Sequence, residues 1–205
     1  MTFKKIGLNL YFVLLYPKAL LNKLIMKKKI DVVEYAPQIL KALAKGGILL
    51  NTEAEGRWNT MTIGWATIGR EWEKPMFTVY VRTSRFTHAQ LEKNPSFTVS
   101  IPVGEIDRKI LGQVGTKSGW KIDKSKDYGL TLVPAEVNGV SGIKEFPLTI
   151  ECKVVYRQVQ ERGDIHTDNV EHLYPTDVED DLLPRNSRPH EVYYGEIVAA
   201  YIIED

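Results

Sequence analysis

The chain is organised around one stretch, Asn59-Thr60-Met61-Thr62-Ile63-Gly64-Trp65-Ala66-Thr67-Ile68-Gly69, followed after a charged turn by Pro75-Met76-Phe77-Thr78-Val79-Tyr80-Val81. Both runs are rich in β-branched and aromatic residues, so they predict two strands. The residues between them, 70–74, predict the turn of a hairpin. The second strand then delivers two arginines and three hydroxyl side chains to one place, in the run Arg82-Thr83-Ser84-Arg85-Phe86-Thr87.

This basic run leads into a short predicted helix. Thr87 and Gln90 have the spacing of a capping box, which marks a helix N-terminus. Exposed backbone N–H groups, two guanidinium groups and nearby hydroxyls together suit a phosphate. The same spacing is compatible with a solvated basic turn that pairs with Glu71, Glu73 or Glu92, so the sequence leaves both interpretations open.

Composition limits the classes of protein to consider. The chain has 205 residues, of which 43% are hydrophobic and 26% charged, as expected for one globular domain. A net charge of +1 provides no extended field for nucleic acid. The single cysteine, Cys152, excludes an internal disulfide and lies on the apolar side of an alternating run, so we predict a buried thiol with no role as a nucleophile. A cytoplasmic protein without a nucleic acid partner is predicted.

Residues 1–25 differ from the rest of the chain. The apolar run Ile6–Tyr16 is shorter than the roughly 20 residues that a membrane-spanning helix needs. Three interpretations remain: a mis-called start, with Met26 as the true first residue, a helix on a membrane surface, or a signal peptide without a clear cleavage site. We therefore predict an extension over 1–25, a domain over 26–205, and no transmembrane span.

Hydrophobic periodicity and turn residues predict the remaining elements. These are helices over Pro37–Lys45, Asp107–Leu111 and Asp123–Tyr128, strands over Ile48–Leu50, Ser96–Ile101, Leu130–Val133, Leu148–Arg157 and Tyr193–Ile203, and a flexible polar loop over Gly112–Gly119. The acidic excursion over 161–190 is long for a loop of a compact domain, and such loops are usually functional or wrap a partner subunit; which role it has is left open.

Catalytic motifs do not emerge from the sequence. A serine nucleophile elbow, a phosphate-binding Walker loop and a dinucleotide-binding glycine turn are all missing. His166, Asp168 and His172 lack the spacing of a zinc site. We predict neither a metal site nor a catalytic side chain.

Four motifs in order carry a resemblance: Asn59-x-Met61-Thr62-Ile63-Gly64-Trp65, Arg82-x-Ser84-Arg85-Phe86-Thr87, Gly115-Thr116-Lys117-Ser118-Gly119 and Tyr193-Tyr194-Gly195-Glu196-Ile197. The sequence closely resembles the flavin reductase-like, FMN-binding split-barrel family, in its flavoredoxin-type branch, over about 26–205. The resemblance implies a mainly β (α+β) fold, a six-stranded antiparallel split β-barrel with short flanking helices. It also implies a homodimer with FMN at the interface.

The resemblance further implies the residues of the cofactor site. Met61, Thr62, Ile63, Gly64 and Trp65 would face the isoalloxazine edge; Arg82, Ser84, Arg85 and Thr87 would hold the 5′-phosphate; Lys117, Ser118 and Gly119 would close over the ribityl chain or ring; Asn59 and Phe86 belong to the same cofactor-binding motifs; and His190 and Tyr193 would line the substrate side.

Three functions follow as expectations. The first is an NAD(P)H-dependent oxidoreductase that passes electrons through FMN to free flavin or a downstream acceptor. The second is a flavoredoxin-like carrier that exchanges electrons with a redox protein partner without nicotinamide turnover. The third is a binding module without redox work. Because flavin supplies the chemistry, the first two need no acid–base side chain.

Overall fold

The computed structural model describes residues 25–104, 109–174 and 188–204. The interpretations of residues 1–24 and the middle of the acidic excursion lie outside these ranges. Within them the elements in chain order are β1 Met26–Lys29, α1 Val32–Ala44, β2 Ile48–Ala54, β3 Arg57–Ile63, β4 Ala66–Glu71, β5 Lys74–Arg82, α2 Phe86–Leu91, β6 Ser96–Ile101, α3 Lys109–Thr116, α4 Lys124–Asp127, β7 Leu132–Val133, β8 Gly142–Ile143, β9 Leu148–Val159, a 3-10 turn Arg162–Asp164, α5 Thr167–Leu173 and β10 His190–Glu204.

One antiparallel sheet of eight strands dominates the described residues. Its order is β3-β2-β6-β9-β10-β5-β4, with β1 also paired to β10. Strands β3 and β4 stand at opposite ends of this order, yet only Gly64-Trp65 separates them in sequence. The sheet must therefore curl until its two edges approach each other without pairing. This arrangement confirms the predicted antiparallel split barrel, with eight strands in place of six.

Strand β10 ties the sheet together, because it pairs with β5, β9 and β1 along its length. The apolar side chains of β5, β6 and β9 fill the interior with α1 packed against them. Phe77, Phe97 and Ile150 are fully buried there. Cys152 lies in the same core, and burial raises the pKa of its thiol. The prediction of an inward thiol is confirmed.

Helix α1 begins at Val32, five residues before the predicted start at Pro37. The Asp31 carboxylate caps it by accepting a hydrogen bond from Val33 N at 2.9 Å. Pro37 therefore lies inside the helix, where its missing N–H removes one backbone bond. Burial of Ile39 and Ala42 on the core side favours the helix nevertheless. The predicted stop at Gly46 is confirmed, with φ at +115°.

Two predicted segments differ from the structure. The predicted loop over Gly112–Gly119 is helical in its first half, because α3 runs to Thr116 and buries Leu111 and Val114. Strand β6 has the alternation of apolar and hydroxyl side chains that is typical of a half-buried strand, yet it is buried on both faces. Its polar face is covered by β8 and the segment before it. Thr98 Oγ1 donates to Val140 O at 2.7 Å, and Ser100 Oγ accepts from Ile143 N, in β8, at 3.2 Å.

Gly195 offers a test of the packing between β10 and its neighbours. A Cβ at this position would lie 2.5 Å from the Phe97 ring and 2.8 Å from Cys152 Cβ. Because such overpacking costs typically about 1–3 kcal/mol, Gly195→Ala should lower the free energy of unfolding by that amount in urea denaturation. Gly69→Ala, where a Cβ meets nothing within 4 Å, is the control. Equal stability of the two variants would contradict this packing.

Candidate functional site

Two adjoining cavities open beside the gap between β3 and β4. The wide cavity, of about 420 Å³, is lined by Met61, Thr62, Ile63, Gly64, Trp65, Tyr80, Arg82, Arg85, His172, Leu173 and His190. The narrow cavity, of about 190 Å³, is lined by Asn59, Met61, Thr62, Ser84, Arg85, Phe86, Thr87, Val114, Gly115, Thr116, Lys117, Ser118, Gly119, Trp120, Lys121 and Lys124. Met61, Thr62 and Arg85 belong to both cavities. Every cofactor-site residue expected from the sequence therefore lines one cavity or the other.

Strand β3 positions the two cavities through its side-chain hydrogen bonds. Thr62 Oγ1 donates to Leu111 O at 2.5 Å and so joins the strand to α3. Asn59 Nδ2 donates to Thr87 Oγ1 at 3.0 Å and joins it to α2. The sequence predicted these residues as neighbours of a ligand, and the structure shows that they also hold the surrounding helices in place.

The two arginines share the wide cavity but have different surroundings. Arg85 lines both cavities, whereas Arg82 lines only the wide one. The Arg82 guanidinium donates to Arg188 O at 2.9 Å and to Leu173 O at 3.0 Å, and it lies 4.9 Å from the centre of the Tyr174 ring. Arg82 thus holds together the two described ends of the acidic excursion. Only Arg85 reaches the narrow cavity, so the expectation that both guanidinium groups hold one phosphate stays a prediction.

The predicted capping box is wrong. Helix α2 starts at Phe86 with Arg85 at its N-cap, and no side chain caps it. The Thr87 hydroxyl is taken by Asn59, and Gln90 accepts from Thr52 Oγ1 at 2.6 Å. Tertiary bonds to β2 and β3 outcompete the local bonds that the spacing suggested. Because α2 has only six residues, we attribute the positive charge beside it to side chains.

The narrow cavity is electropositive. Four cations line it, Arg85, Lys117, Lys121 and Lys124, and the described residues of its lining include no aspartate or glutamate. Lys124 is 4% exposed, and its Nζ donates to Thr60 O at 2.7 Å and Val114 O at 2.8 Å. Burial, and then the charge of Arg85, lower the pKa of Lys124 to about 8. Such a cavity suits an anion.

Sequence reasoning missed Lys124 because it directly follows a helix-capping aspartate, Asp123, where lysines are normally exposed. Its side chain instead reaches across to the outer edge of β3. No local sequence pattern predicts that contact, since Thr60 lies 64 positions away in the chain.

Asn59 and Gly119 form one wall of the narrow cavity. The Asn59 side chain is 3% exposed, and its Oδ1 has no hydrogen-bond partner among the described residues. A Cβ at position 119 would lie 2.3 Å from that oxygen and 2.4 Å from the Phe86 ring, so only glycine fits there. Rotating the Asn59 amide by half a turn would let Thr87 donate to Oδ1 and would free the Nδ2 donors for a bound anion.

The wide cavity is bounded by aromatic rings. The Trp65 and His190 rings lie 4.9 Å apart. Burial, together with Arg82 and Arg85, lowers the pKa of His190 to about 3, so the imidazole is neutral at neutral pH. Its Nδ1 lies 2.7 Å from the hydroxyl of Tyr174, just after α5. His190 therefore lines the wide cavity, and its place on the substrate side stays a prediction.

Tyr193 does not share that place. It is 1% exposed, its hydroxyl donates to Glu191 Oε2 at 3.2 Å, and it lines neither cavity. Positions 190 and 193 of a strand point to opposite faces, which explains the difference. The expected substrate-side role of Tyr193 is not supported. Conversely, Tyr80, His172 and Leu173 line the wide cavity although no sequence pattern singled them out.

A cluster of His88, Glu92 and Glu191 has the composition of a metal site. The Arg157 guanidinium already supplies a cation there, because it pairs with Glu92 and lies 3.4 Å from Glu191 Oε1. His88 Nε2 lies 2.7 Å from Glu191 Oε2. We describe the cluster as an ion-pair network that fastens α2 to β9 and β10.

Comparisons with known proteins agree with this geometry. Residues 40–205 match the flavin reductase like domain. An uncharacterized protein of Archaeoglobus fulgidus is 35% identical over 97 residues, 47% of this chain and 54% of that protein. The chain spans about half the length of the curated relatives it matches.

Solved structures share the fold. Flavoredoxin from Methanosarcina acetivorans is 28% identical, with a TM-score of 0.54, over 76% of this chain and 67% of that one. A putative flavin reductase with a split barrel domain from Shewanella frigidimarina is 17% identical, with a TM-score of 0.56, over 84% of this chain and 75% of that one. Among the described residues, no helix has the length and apolar character to cross a bilayer. Because the family model matches residues 40–205 and the solved structures share the fold, the chain belongs to the family of the flavin reductase like domain, in its split-barrel form.

Proposed function

We propose that this protein binds FMN across the two cavities and works as an oxidoreductase, passing electrons from NAD(P)H through FMN to free flavin or a downstream acceptor. The observation that carries the proposal is the narrow cavity, where the buried Lys124 and the half-buried Arg85 meet hydroxyl groups, and where the described lining includes no carboxylate. A mononucleotide phosphate has the charge and the acceptor oxygens that such a cavity needs. The wide cavity adjoins it through Met61 and Thr62 and offers room for a ring system.

Residues of the narrow cavity would hold the phosphate end. Arg85 would donate to the phosphate oxygens, with a hydroxyl donor from Ser84. Thr87 would add its hydroxyl proton if it accepts from Asn59 as in the structure; with the amide rotated, Asn59 Nδ2 would donate in its place. Lys117 and Ser118 belong to the segment after α3 and would close over the ribityl chain. Gly119 leaves the space that a larger residue would take from Asn59 and Phe86.

Residues of the wide cavity would hold the ring. Thr62 and Ile63 pair with β2 on one side only, because β3 is an edge strand, and Gly64 and Trp65 lie beyond the paired part of β3. Backbone N–H groups of this segment that the pairing leaves unused would stabilise negative charge on a ligand edge. A bound FMN would supply hydride and electron transfer, chemistry that amino-acid side chains lack. His190, which is neutral at neutral pH, would present an uncharged imidazole to the bound ring. Arg82 anchors Leu173 over the cavity and so helps to exclude water.

Two further parts of the proposal concern the oligomeric state and the location in the cell. We propose a homodimer with FMN near the interface, as the family resemblance implies. Trp65 and Trp120 are 39% and 58% exposed at the rims of the two cavities, which would suit cover by a second copy. Sedimentation with and without FMN tests this, and a monomer in both states would contradict it. A cytoplasmic location remains part of the proposal.

Anaerobic mixing with NADH or NADPH tests the reaction. The FMN-loaded protein should lose its yellow absorbance after mixing with one of the two, faster than free FMN at the same concentration. The faster nucleotide identifies the preferred donor. Failure to take up FMN would contradict the proposal altogether.

A second candidate is an electron carrier that exchanges electrons with a redox protein partner. The 28% identity to a flavoredoxin favours keeping it. FMN that stays yellow with both nucleotides, yet is bleached by a chemical reductant, would support the carrier over the reductase.

A further inference from the structure

Lys124 is the buried cation of the narrow cavity, and its surroundings leave its charge only partly compensated. Its Nζ donates to two backbone carbonyls, Thr60 O and Val114 O. An ammonium group has three donors, so one remains for another acceptor. Carbonyl dipoles offset part of the cost of burying a charge, and a counter-ion would offset more.

The charged groups around Lys124 are mostly cations. Arg85 faces it from the start of α2, and Lys117 and Lys121 line the same cavity from the segment after α3. Arg57, on β3, donates to Gly119 O in the wall of the cavity. On its own helix, the Asp123 carboxylate accepts from Ser125 and Lys126 as the N-cap, and Lys126 and Asp127 are exposed. The described residues thus offer Lys124 no carboxylate inside the cavity. An anion bound there would be its counter-ion.

We propose that Lys124 binds the phosphate of the mononucleotide and takes up a proton when it does so, which makes the affinity for FMN depend on pH. This inference rests on the proposed function. The pKa of Lys124 is about 8 without a ligand. A phosphate beside the ammonium favours its charged form, so binding raises that pKa. Above pH 8, binding must therefore draw in a proton.

The direction of the pH dependence distinguishes titration of Lys124 from titration of the phosphate. The second pKa of a phosphate monoester is about 6, so the ligand is a dianion by pH 7 and its own titration cannot weaken binding above that pH. Arginines keep their charge over this range. For a group with a pKa near 8, affinity should fall about tenfold between pH 7 and pH 9.

Isothermal calorimetry in two buffers of different ionisation enthalpy tests the proposal on the full chain. FMN binding should take up about half a proton at pH 8 and close to one at pH 9, while riboflavin, which has no phosphate, should take up none. Lys124→Met should bind FMN more weakly at pH 7 with no pH dependence, so the difference between its affinity and that of the parent should shrink about tenfold by pH 9. Lys126→Met, on the exposed side of the same helix, should match the parent.

Each outcome decides between the proposals. FMN binding with constant affinity from pH 7 to 9 and no proton uptake would overturn the role of Lys124 and leave the proposed function standing. Absence of FMN binding by the parent at pH 7 would overturn both. Lys124 also donates to Thr60 O on β3, so Lys124→Met could fail to fold. In that case the proton uptake of the parent still decides the question.

Discussion

Arg85→Ala is expected to weaken FMN binding about tenfold to a hundredfold, because hydrogen bonds to a charged group contribute roughly 1.5–3 kcal/mol. Arg85 is the arginine that lines both cavities. Its planar guanidinium suits a phosphate in a bidentate way, which a smaller residue cannot replace. Fluorescence titration of the purified protein with FMN measures the effect.

Riboflavin and a second arginine provide the controls. Because riboflavin lacks the phosphate, its affinity should be the same for Arg85→Ala and the parent. Arg70→Ala, on the exposed β4 strand, should bind both ligands like the parent. Arg82→Ala should affect FMN less than Arg85→Ala, since Arg82 donates to the carbonyls of Leu173 and Arg188. Unchanged FMN affinity in Arg85→Ala would remove Arg85 from the phosphate site.

Glu151→Ala should lower the free energy of unfolding by about 3–5 kcal/mol, or prevent folding, because it leaves several buried donors without an acceptor. The Glu151 carboxylate is fully buried and accepts from the backbone N–H groups of Glu136, Val137 and Asn138 at 2.6, 2.8 and 2.9 Å. It also accepts from Tyr201 Oη at 2.9 Å. Burial, and then the charge of Glu151, raise the pKa of Tyr201 well above its ordinary value.

Urea denaturation measures this loss, and two variants define its cause. Lys153→Ala, on the exposed part of the same strand, should change stability by no more than about 0.5 kcal/mol. Glu151→Gln keeps the shape but turns an NH₂ group toward two of the donors, so it should also be clearly less stable than the parent. A Glu151→Ala variant as stable as Lys153→Ala would show that these bonds contribute nothing to folding.

Local signals predicted much of the fold. The hairpin of β4 and β5 follows from two β-rich runs around a turn, and the turn residues Trp72 and Glu73 do adopt positive φ, at 48° and 61°. The alternation over Leu148–Arg157 predicted both β9 and the inward position of Cys152. Such features depend on neighbours in sequence, so a single chain reveals them.

Other features depend on partners far away in sequence. The run from Asn59 to Gly69 looks like one strand, yet it divides at Gly64-Trp65 into two strands at opposite edges of the sheet. The pair Thr87 and Gln90 looks like a cap, yet both side chains are taken by β2 and β3. These differences arise because burial and strand pairing outweigh local propensity.

The sequence by itself determined the residue types around the candidate site and their order: hydroxyls and arginines after a strand, then a lysine, a serine and a glycine in a later turn. The tertiary structure alone decided which of these face one another. It put Arg82 against the acidic excursion and Arg85 beside the buried Lys124, and it turned Tyr193 into the core. The reason is physical, since an electrostatic site depends on distances in space, and the curl of the sheet sets those distances between residues that the chain keeps far apart.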